Sequence, residues 1–308
     1  MYIYSPCSLF IYVSYISNHI KLCDLIPESK KLRGVTIDAL LDTFLKLEGK
    51  TLIMFDLETL GLDPIHDYAQ ITEVAAWAVS GDDFEVIDKL NLGVTLSDAS
   101  KKLLNDPNGL ERLIWERIRI KRKDSMTDPN DILKMTRYAE LKCEFKNEKS
   151  AITDFFDFVE KYDNRVLVAH NAGFDIKFIG SRASSYGLEL PIAEVVDTLK
   201  ISRYFFGPAV ETLSEHEDVI ELFGSLFRNS GHQGHISSKL GELATAFKIN
   251  SDNWHTASAD VEMMHGVMVR MLQFLKEHHT TDIRRSQERV IFRQPKKRKP
   301  NKLTKRKV

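Results

Sequence analysis

The chain has 308 residues, 43% hydrophobic and 28% charged, which are the proportions of a globular protein with a sizeable core rather than a disordered or fibrous one. Its net charge of -1 conceals an asymmetry: residues 284–308 hold twelve Lys or Arg against one acid, Glu288, while the rest of the chain carries -12. Three cysteines, Cys7, Cys23 and Cys143, have no metal-ligand spacing and cannot all pair, which argues against a zinc site or disulfide framework and fits a reducing compartment.

The first stretch, Met1–Ser17, is apolar and aromatic but broken by serines and a proline. It lacks a basic start and a small-residue cleavage site, so it reads as an extension without catalytic use or an early start codon, not as a signal peptide or membrane span. Thr36–Glu48 has helical apolar spacing. Thr51–Leu57 (TLIMFDL) is a near-continuous apolar run, as a central buried strand requires, and Gly61 and Pro64 mark the turn after it. Ile71–Val79 and Phe84–Val94 read as two more strands joined by the hairpin loop Ser80-Gly81-Asp82-Asp83. Residues 97–150 read as mostly helical and charged. Ile152–Tyr162 reads as a helix, Arg165–Ala169 as a strand, and Phe174–Tyr186 as a helix stopped by Gly187. A fifth strand is expected at Ile192–Val196 with a helix from Thr198, an irregular insert at 207–235, and final helices at Ser237–Phe247 and Ser258–Lys276. The pattern predicts an α/β fold: a mixed five-stranded sheet, three antiparallel strands then two parallel, flanked by helices. Its organisation reads as an N-terminal extension over 1–49, a catalytic domain over 50–280 with helical inserts near 97–150 and 207–235, and a basic, disordered tail over 281–308.

Three stretches carry chemistry. Asp56 and Glu58 are two apart at the end of the first strand, so their side chains leave one face. Two like charges that close disfavour each other unless a cation neutralises them. An Asp-x-Glu alone is also what a polar strand end looks like; the buried run before it and Gly61 after it strengthen the signal. In the second stretch, His170-Asn171-Ala172-Gly173-Phe174-Asp175, the acid falls in the first turn of a helix, where the dipole favours an anion. Asn171 can hydrogen-bond a nucleotide or simply close the turn, and His170 reads as structural. In the third, His255 and Asp260 are five apart, which on one continuous helix would turn them about 140° from each other. Trp254–Ala257 reads as loop, however, with the helix starting near Ser258, so Asp260 is fixed while His255 hangs on a mobile loop. A lone loop histidine is commonly just a surface residue. Here it stands beside four carboxylates, and the set suits phosphodiester hydrolysis, in which acids hold two divalent cations and a base deprotonates a water.

These motifs resemble the DEDDh group of DnaQ-like 3'-5' exonucleases, a branch of the ribonuclease-H-like fold, over about residues 50–276. Phe55-Asp56-Leu57-Glu58-Thr59, His170-Asn171 with Phe174-Asp175, and His255 with Asp260 match its three motifs; Val196–Leu199 and Lys239–Ala244 are also similar. The His-x4-Asp spacing sets this group apart from relatives that use a Tyr. The resemblance implies that Asp56, Glu58 and Asp260 hold a first Mg²⁺ or Mn²⁺, that Asp56 with Asp175 serves a second, and that His255 is the general base. It implies that the backbone around Glu58–Leu60, including Thr59, receives the terminal nucleotide, with Leu60 wedging against its base and Asn171 available to the substrate. Asp197 reads as structural.

The implied activity is hydrolysis from 3' ends, with single-stranded DNA as the leading substrate. An exoribonuclease of the same family, a separate proofreading subunit working with replication or repair proteins, and a catalytically silent nucleic-acid binder are the alternatives. No polymerase domain fits in 308 residues, so fused proofreading is not expected. Arg117, Arg119, Lys121, Arg122 and Lys123 can grip a phosphate backbone or line a solvated helix face. The tail raises affinity for any nucleic acid in a salt-dependent way, or serves as a nuclear localisation signal in a eukaryotic setting. No membrane association is expected; the location expected is cytoplasmic in a bacterial or phage-infected cell, and nuclear in a eukaryote.

Overall fold

The computed structural model describes residues 46–109, 113, 138, 141–207, 210, 221–223, 237–250 and 255–277. Most of the expected helix at Thr36–Glu48, the Arg117–Lys123 cluster, most of the 207–235 insert and the whole basic tail lie outside these residues. Lys46–Gly49 form a turn leading into the sheet. Among the described residues, no helix is long and apolar enough to cross a membrane.

Among the described residues, six strands form one sheet. In chain order they are β1 (Thr51–Leu60), β2 (Gln70–Ser80), β3 (Val86–Val94), β4 (Glu144–Lys146), β5 (Arg165–Ala169) and β6 (Glu194–Asp197), and their spatial order is β4-β3-β2-β1-β5-β6. β1 to β3 are an antiparallel meander, β5 and β6 run parallel to β1, and β4 runs parallel to β3 at the far edge. The three antiparallel and two parallel strands are those expected. β4 is an addition, three residues long and largely exposed, inside the stretch read as helical.

Among the described residues, the helices are α1 (Asp98–Leu104), α2 (Glu148–Glu160), α3 (Ala172–Ser185), α4 (Thr198–Ile201), which runs on into a π-helical turn at Ser202–Phe206, α5 (Leu240–Ala246) and α6 (Ala257–Glu277). They cover both faces of the sheet, which is why β1 reads as a continuous apolar run. On one face Leu52, Met54, Ala75, Trp77, Val79, Val166 and Val168 pack with Ala257, Val261, Met264, Met268 and Met271 of α6 and with Leu243 and Ala244 of α5. On the other, Ile53, Phe55, Leu57, Val74, Ala76 and Leu167 pack with Ile152, Phe155 and Val159 of α2 and Ile176 and Ile179 of α3. The two-residue alternation along β1 thus assigns its even positions to the α6 side and its odd positions to the α2/α3 side. Asp56 and Glu58 continue the even series where the apolar cover ends.

A buried ion pair locks the α2/α3 side to the start of β2. Glu148, capping no helix but sitting in the first turn of α2, accepts from Arg182 Nε at 3.0 Å, from the Tyr186 hydroxyl at 2.8 Å and from the backbone N–H of Ile71 at 2.8 Å. Every partner of this carboxylate is a hydrogen-bond donor, which is the condition under which a buried charge is tolerated.

Candidate active site

Three elements deliver the acids to one end of the sheet. β1 pairs with β5 only as far as Met54, opposite Val168, because β5 ends at Ala169. Beyond that point the β5 side of β1 has no strand neighbour among the described residues, and the backbone N–H of Leu57 is engaged instead by the carboxylate of Asp175. α3 lies on the opposite face of the sheet from α6, but its N-terminus rises past the end of β5, so Asp175, buried at 3% exposure in its first turn, reaches the same edge. The turn that lifts it there needs a left-handed residue: Asn171 has φ 74°, a conformation Asn tolerates better than most residues. Asp197 holds that turn. Its Oδ1 accepts from the N–H of Asn171 at 3.1 Å while also capping α4 through Leu199 N–H at 3.1 Å. His170 Nδ1 lies 3.0 Å from Thr198 Oγ1, and burial pushes its pKa down to about 4. It is therefore a neutral structural imidazole at ordinary pH, in line with the sequence reading.

The third element is the start of α6. Thr256 caps it, its Oγ1 accepting from Ala259 N–H at 3.2 Å, and the N–H of Asp260 donates to the Thr256 carbonyl at 3.0 Å. The helix begins at Ala257, one residue before the expected start. His255 precedes it as an exposed residue with φ 72°, so it leaves the helical path, and its backbone N–H is directed to the Asp260 carboxylate. This kink cancels the angular offset that a continuous helix would impose. Ligand atoms of Glu58, His255 and Asp260 all fall within 4.8 Å of one another. Asp56 and Asp175 stand outside that tight trio but act on it electrostatically.

The electrostatics are those of too many acids in too little water. Burial raises Asp56 well above the usual carboxylate range, and the charges of Asp175, Asp260, Glu58 and Glu73 raise it further. Burial pushes Asp175 up to about 8 despite the Leu57 N–H, and Asp260 up to about 6 despite the His255 N–H. Asp260 Oδ1 is a buried oxygen without a hydrogen-bond partner. An orphaned carboxylate oxygen, hard oxygen donors and mutual repulsion are together what a divalent cation answers, so the residues fit such ions. Glu58, Asp260 and Asp56 on the α6 face, with Asp175 from the other side, are the groups that would hold them.

The expected nucleotide contacts sit differently. Thr59 is buried and its hydroxyl donates to the Gly61 carbonyl at 2.9 Å. Leu60 is fully buried and packs in the α2/α3-side core with Phe55 and Leu57, so its side chain offers no surface to a base. Simple alternation from Asp56 and Glu58 would have put Leu60 on their face, but the pairing register shifts between Glu58 and Thr59, where Thr72 of β2 is bulged out. Two residues after Leu60, Leu62 is exposed at 45%. Asn171 is exposed at the rim.

Sequence reasoning missed Glu73. It is 1% exposed in the middle of β2, is the cross-strand partner of Glu58, and accepts from Ala257 N–H at 2.7 Å and Ser258 N–H at 3.3 Å. Burial pushes it up to about 7 against the pull of those two amides. The signal was available: an acid inside the apolar run ITEVAAWAV has to be satisfied by something.

A mixed sheet that gathers acids from β1, α3 and α6 at one edge defines the class of DnaQ-like exonuclease domains. The chain belongs to the DEDD 3'-5' exonuclease family: its residues 50–208 match the family described as DNA polymerase family B, exonuclease domain. That match covers the first two acid stretches and ends before His255 and Asp260, so the third rests on the geometry above. Among curated proteins, the chain is 26% identical over 236 residues to the PolC-type DNA polymerase III of Staphylococcus haemolyticus, covering 77% of this chain and 12% of that one. It is 30% identical over 229 residues to the PolC-type DNA polymerase III of Bacillus subtilis, covering 74% of this chain and 12% of that one. The chain thus spans about an eighth of the length of the curated relatives it matches. Among solved structures, the complex of E. coli exonuclease I with single-stranded DNA in its zinc-bound form aligns with a TM-score of 0.49 at 16% identity, over 74% of this chain and 41% of that one. The family is metal-dependent.

Proposed function

We propose that the chain is a 3'-5' exonuclease that hydrolyses the terminal phosphodiester of single-stranded DNA, with residues 50–280 as its catalytic unit. The observation that carries the reading is the convergence of Glu58, His255 and Asp260 within 4.8 Å beside Asp56 and Asp175. Two Mg²⁺ or Mn²⁺ ions, when bound, would supply charge neutralisation at the scissile phosphate and at the leaving 3'-oxygen. The protein supplies the rest. Asp56, Glu58 and Asp260 fix the cations on the α6 face, and Asp175 supports from the α3 side. His255, exposed beside Glu58 and Asp260, takes a proton from the attacking water on a ring nitrogen. Leu62 replaces Leu60 as the apolar contact for the terminal base, because it alone of the two is exposed.

DNA is favoured over RNA because the PolC-type relatives are named as DNA polymerases; the same relatives suggest a replication setting. The deciding experiment offers matched 5'-labelled DNA and RNA oligonucleotides to the full chain with Mg²⁺ or Mn²⁺. Stepwise shortening of DNA from its 3' end is the expected result. Shortening of RNA alone would select the exoribonuclease reading, and intact oligonucleotides of both kinds would reject the enzyme reading.

A further inference from the structure

Glu73 has no place among the acids that hold cations, since both of its oxygens are engaged by backbone amides. The core does not ask for an acid there either. The residues that follow it on the same face of β2, Ala75, Trp77 and Val79, are apolar and packed under α6. Burying a carboxylate at that position costs free energy that an apolar side chain would not, so the carboxylate must be retained for what it holds.

What it holds is the start of α6. Ala257 and Ser258 are the first two residues of that helix, and their N–H groups are among the donors that no helical carbonyl can satisfy. A carboxylate there meets both the orphan donors and the positive end of the helix dipole. His255 lies two residues before Ala257, and Asp260 lies two after Ser258. On its other side Glu73 is the register partner of Glu58, with the Thr72 bulge immediately adjacent. One carboxylate therefore connects the strand pair that carries Asp56 and Glu58 to the segment that carries His255 and Asp260. The contact spans 184 residues of sequence.

We propose that Glu73 is a positioning residue that sets the distance between Glu58 on β1 and the His255–Asp260 segment, and that turnover depends on it although it touches neither substrate nor cation. The inference rests on the exonuclease reading above for its catalytic half, and on geometry alone for its structural half. Loss of the tether leaves the apolar face of α6 docked through Val261, Met264 and Met268, so the fold persists while the first turn of the helix drifts. A drift of that kind lowers kcat more than it changes KM, because the displaced groups act on the reacting phosphate rather than on the rest of the strand.

The test uses the full chain and the variants Glu73→Ala, Glu73→Gln and, as a control, Phe158→Leu in the opposite core layer. Amide hydrogen exchange of the cation-free protein is followed by mass spectrometry over residues 255–260, and kcat and KM are measured on a DNA oligonucleotide with Mg²⁺. In Glu73→Ala, exchange in that segment should rise at least about tenfold while β1 and β5 are unchanged. Its kcat should fall about 10- to 100-fold with KM within about twofold, the range typical of residues that orient ligands from behind. Glu73→Gln keeps one acceptor oxygen and should recover most of the loss; Phe158→Leu should lower Tm and leave kcat near the parent value. Unchanged exchange in Glu73→Ala overturns the tether. Faster exchange with full kcat overturns the positioning role, as does an equal loss of kcat in Phe158→Leu. A parent chain inactive on DNA and RNA, with exchange still rising in Glu73→Ala, overturns the exonuclease reading and leaves the tether standing.

Discussion

β1 and the segment from His255 to Asp260 serve one site by opposite means. β1 is a central strand with apolar cover on both faces, and its two acids sit half-buried where that cover ends, Asp56 facing the charges of Asp175, Asp260 and Glu58. The second segment is a kinked helix start, with an exposed imidazole beside one half-buried carboxylate. In the proposed mechanism the difference separates two tasks. The strand would supply a fixed field for cations, and the helix start a group that exchanges protons with water from the surface.

The sharpest way to break this comparison is to remove the field. Asp56→Ala should lower kcat/KM on a 3'-recessed or single-stranded DNA by about 10³-fold or more, since it takes away a donor to the cations on which charge neutralisation depends. Activity within a few fold of the parent in a Mg²⁺ assay would remove Asp56 from the site. Next in size is the base: His255→Ala should cost about 10²- to 10⁴-fold in kcat but shift stability by no more than ~0.5 kcal/mol, because the side chain is exposed. A matching loss of Tm in thermal melts would mean that His255 is part of the scaffold instead.

pH should act on the cation-free protein through the crowded acids of both regions. Asp56, Asp175, Asp260 and Glu73 all have pKa values raised on folding. A carboxyl with a raised folded pKa binds more protons folded than unfolded, so its contribution favours the fold at low pH and is lost as pH rises from about 4 through the folded values near 6 to 8. In EDTA, Tm should therefore drop by roughly 5 °C or more between pH 5.5 and pH 8, and Mg²⁺ or Mn²⁺ should restore it by binding the native state. Asp56→Asn should flatten that dependence. A Tm that rises with pH over this window would contradict the crowded-acid picture. The smallest catalytic effect separates two neighbouring leucines. Leu60→Ala should cost about 2–5 kcal/mol of stability as a core truncation, whereas Leu62→Ala should leave Tm nearly unchanged and raise KM by about threefold to tenfold for loss of an exposed apolar contact. Equal effects of the two on KM would return Leu60 to the substrate.

Much of this was legible because it is local. The apolar run before Asp56, the strand Arg165–Ala169 followed by a helix with Asp175 in its first turn, and the break that separates His255 from Asp260 are all set within a few residues. Strand alternation and helix-start chemistry do not require knowledge of the rest of the chain. β4 escaped because three residues, Glu144-Phe145-Lys146, are too short to show a period, and their strand state comes from pairing with Leu92, Gly93 and Val94, some fifty residues earlier. Leu60 was misplaced because alternation cannot register a bulge on the neighbouring strand.

The sequence by itself determined the set of groups: four carboxylates and a histidine on a strand end and two helix starts, in an order that suits the proposed cation-assisted hydrolysis. Tertiary structure decided how those groups meet. It brought Asp175 over the end of β5, turned His255 back toward Asp260, buried Leu60 in place of Leu62, and set Glu73 against the first amides of α6. The physical reason is range. Backbone preferences and side-chain periods act over a turn or two, while charge repulsion, burial and the satisfaction of an orphan amide act between residues that only folding makes neighbours.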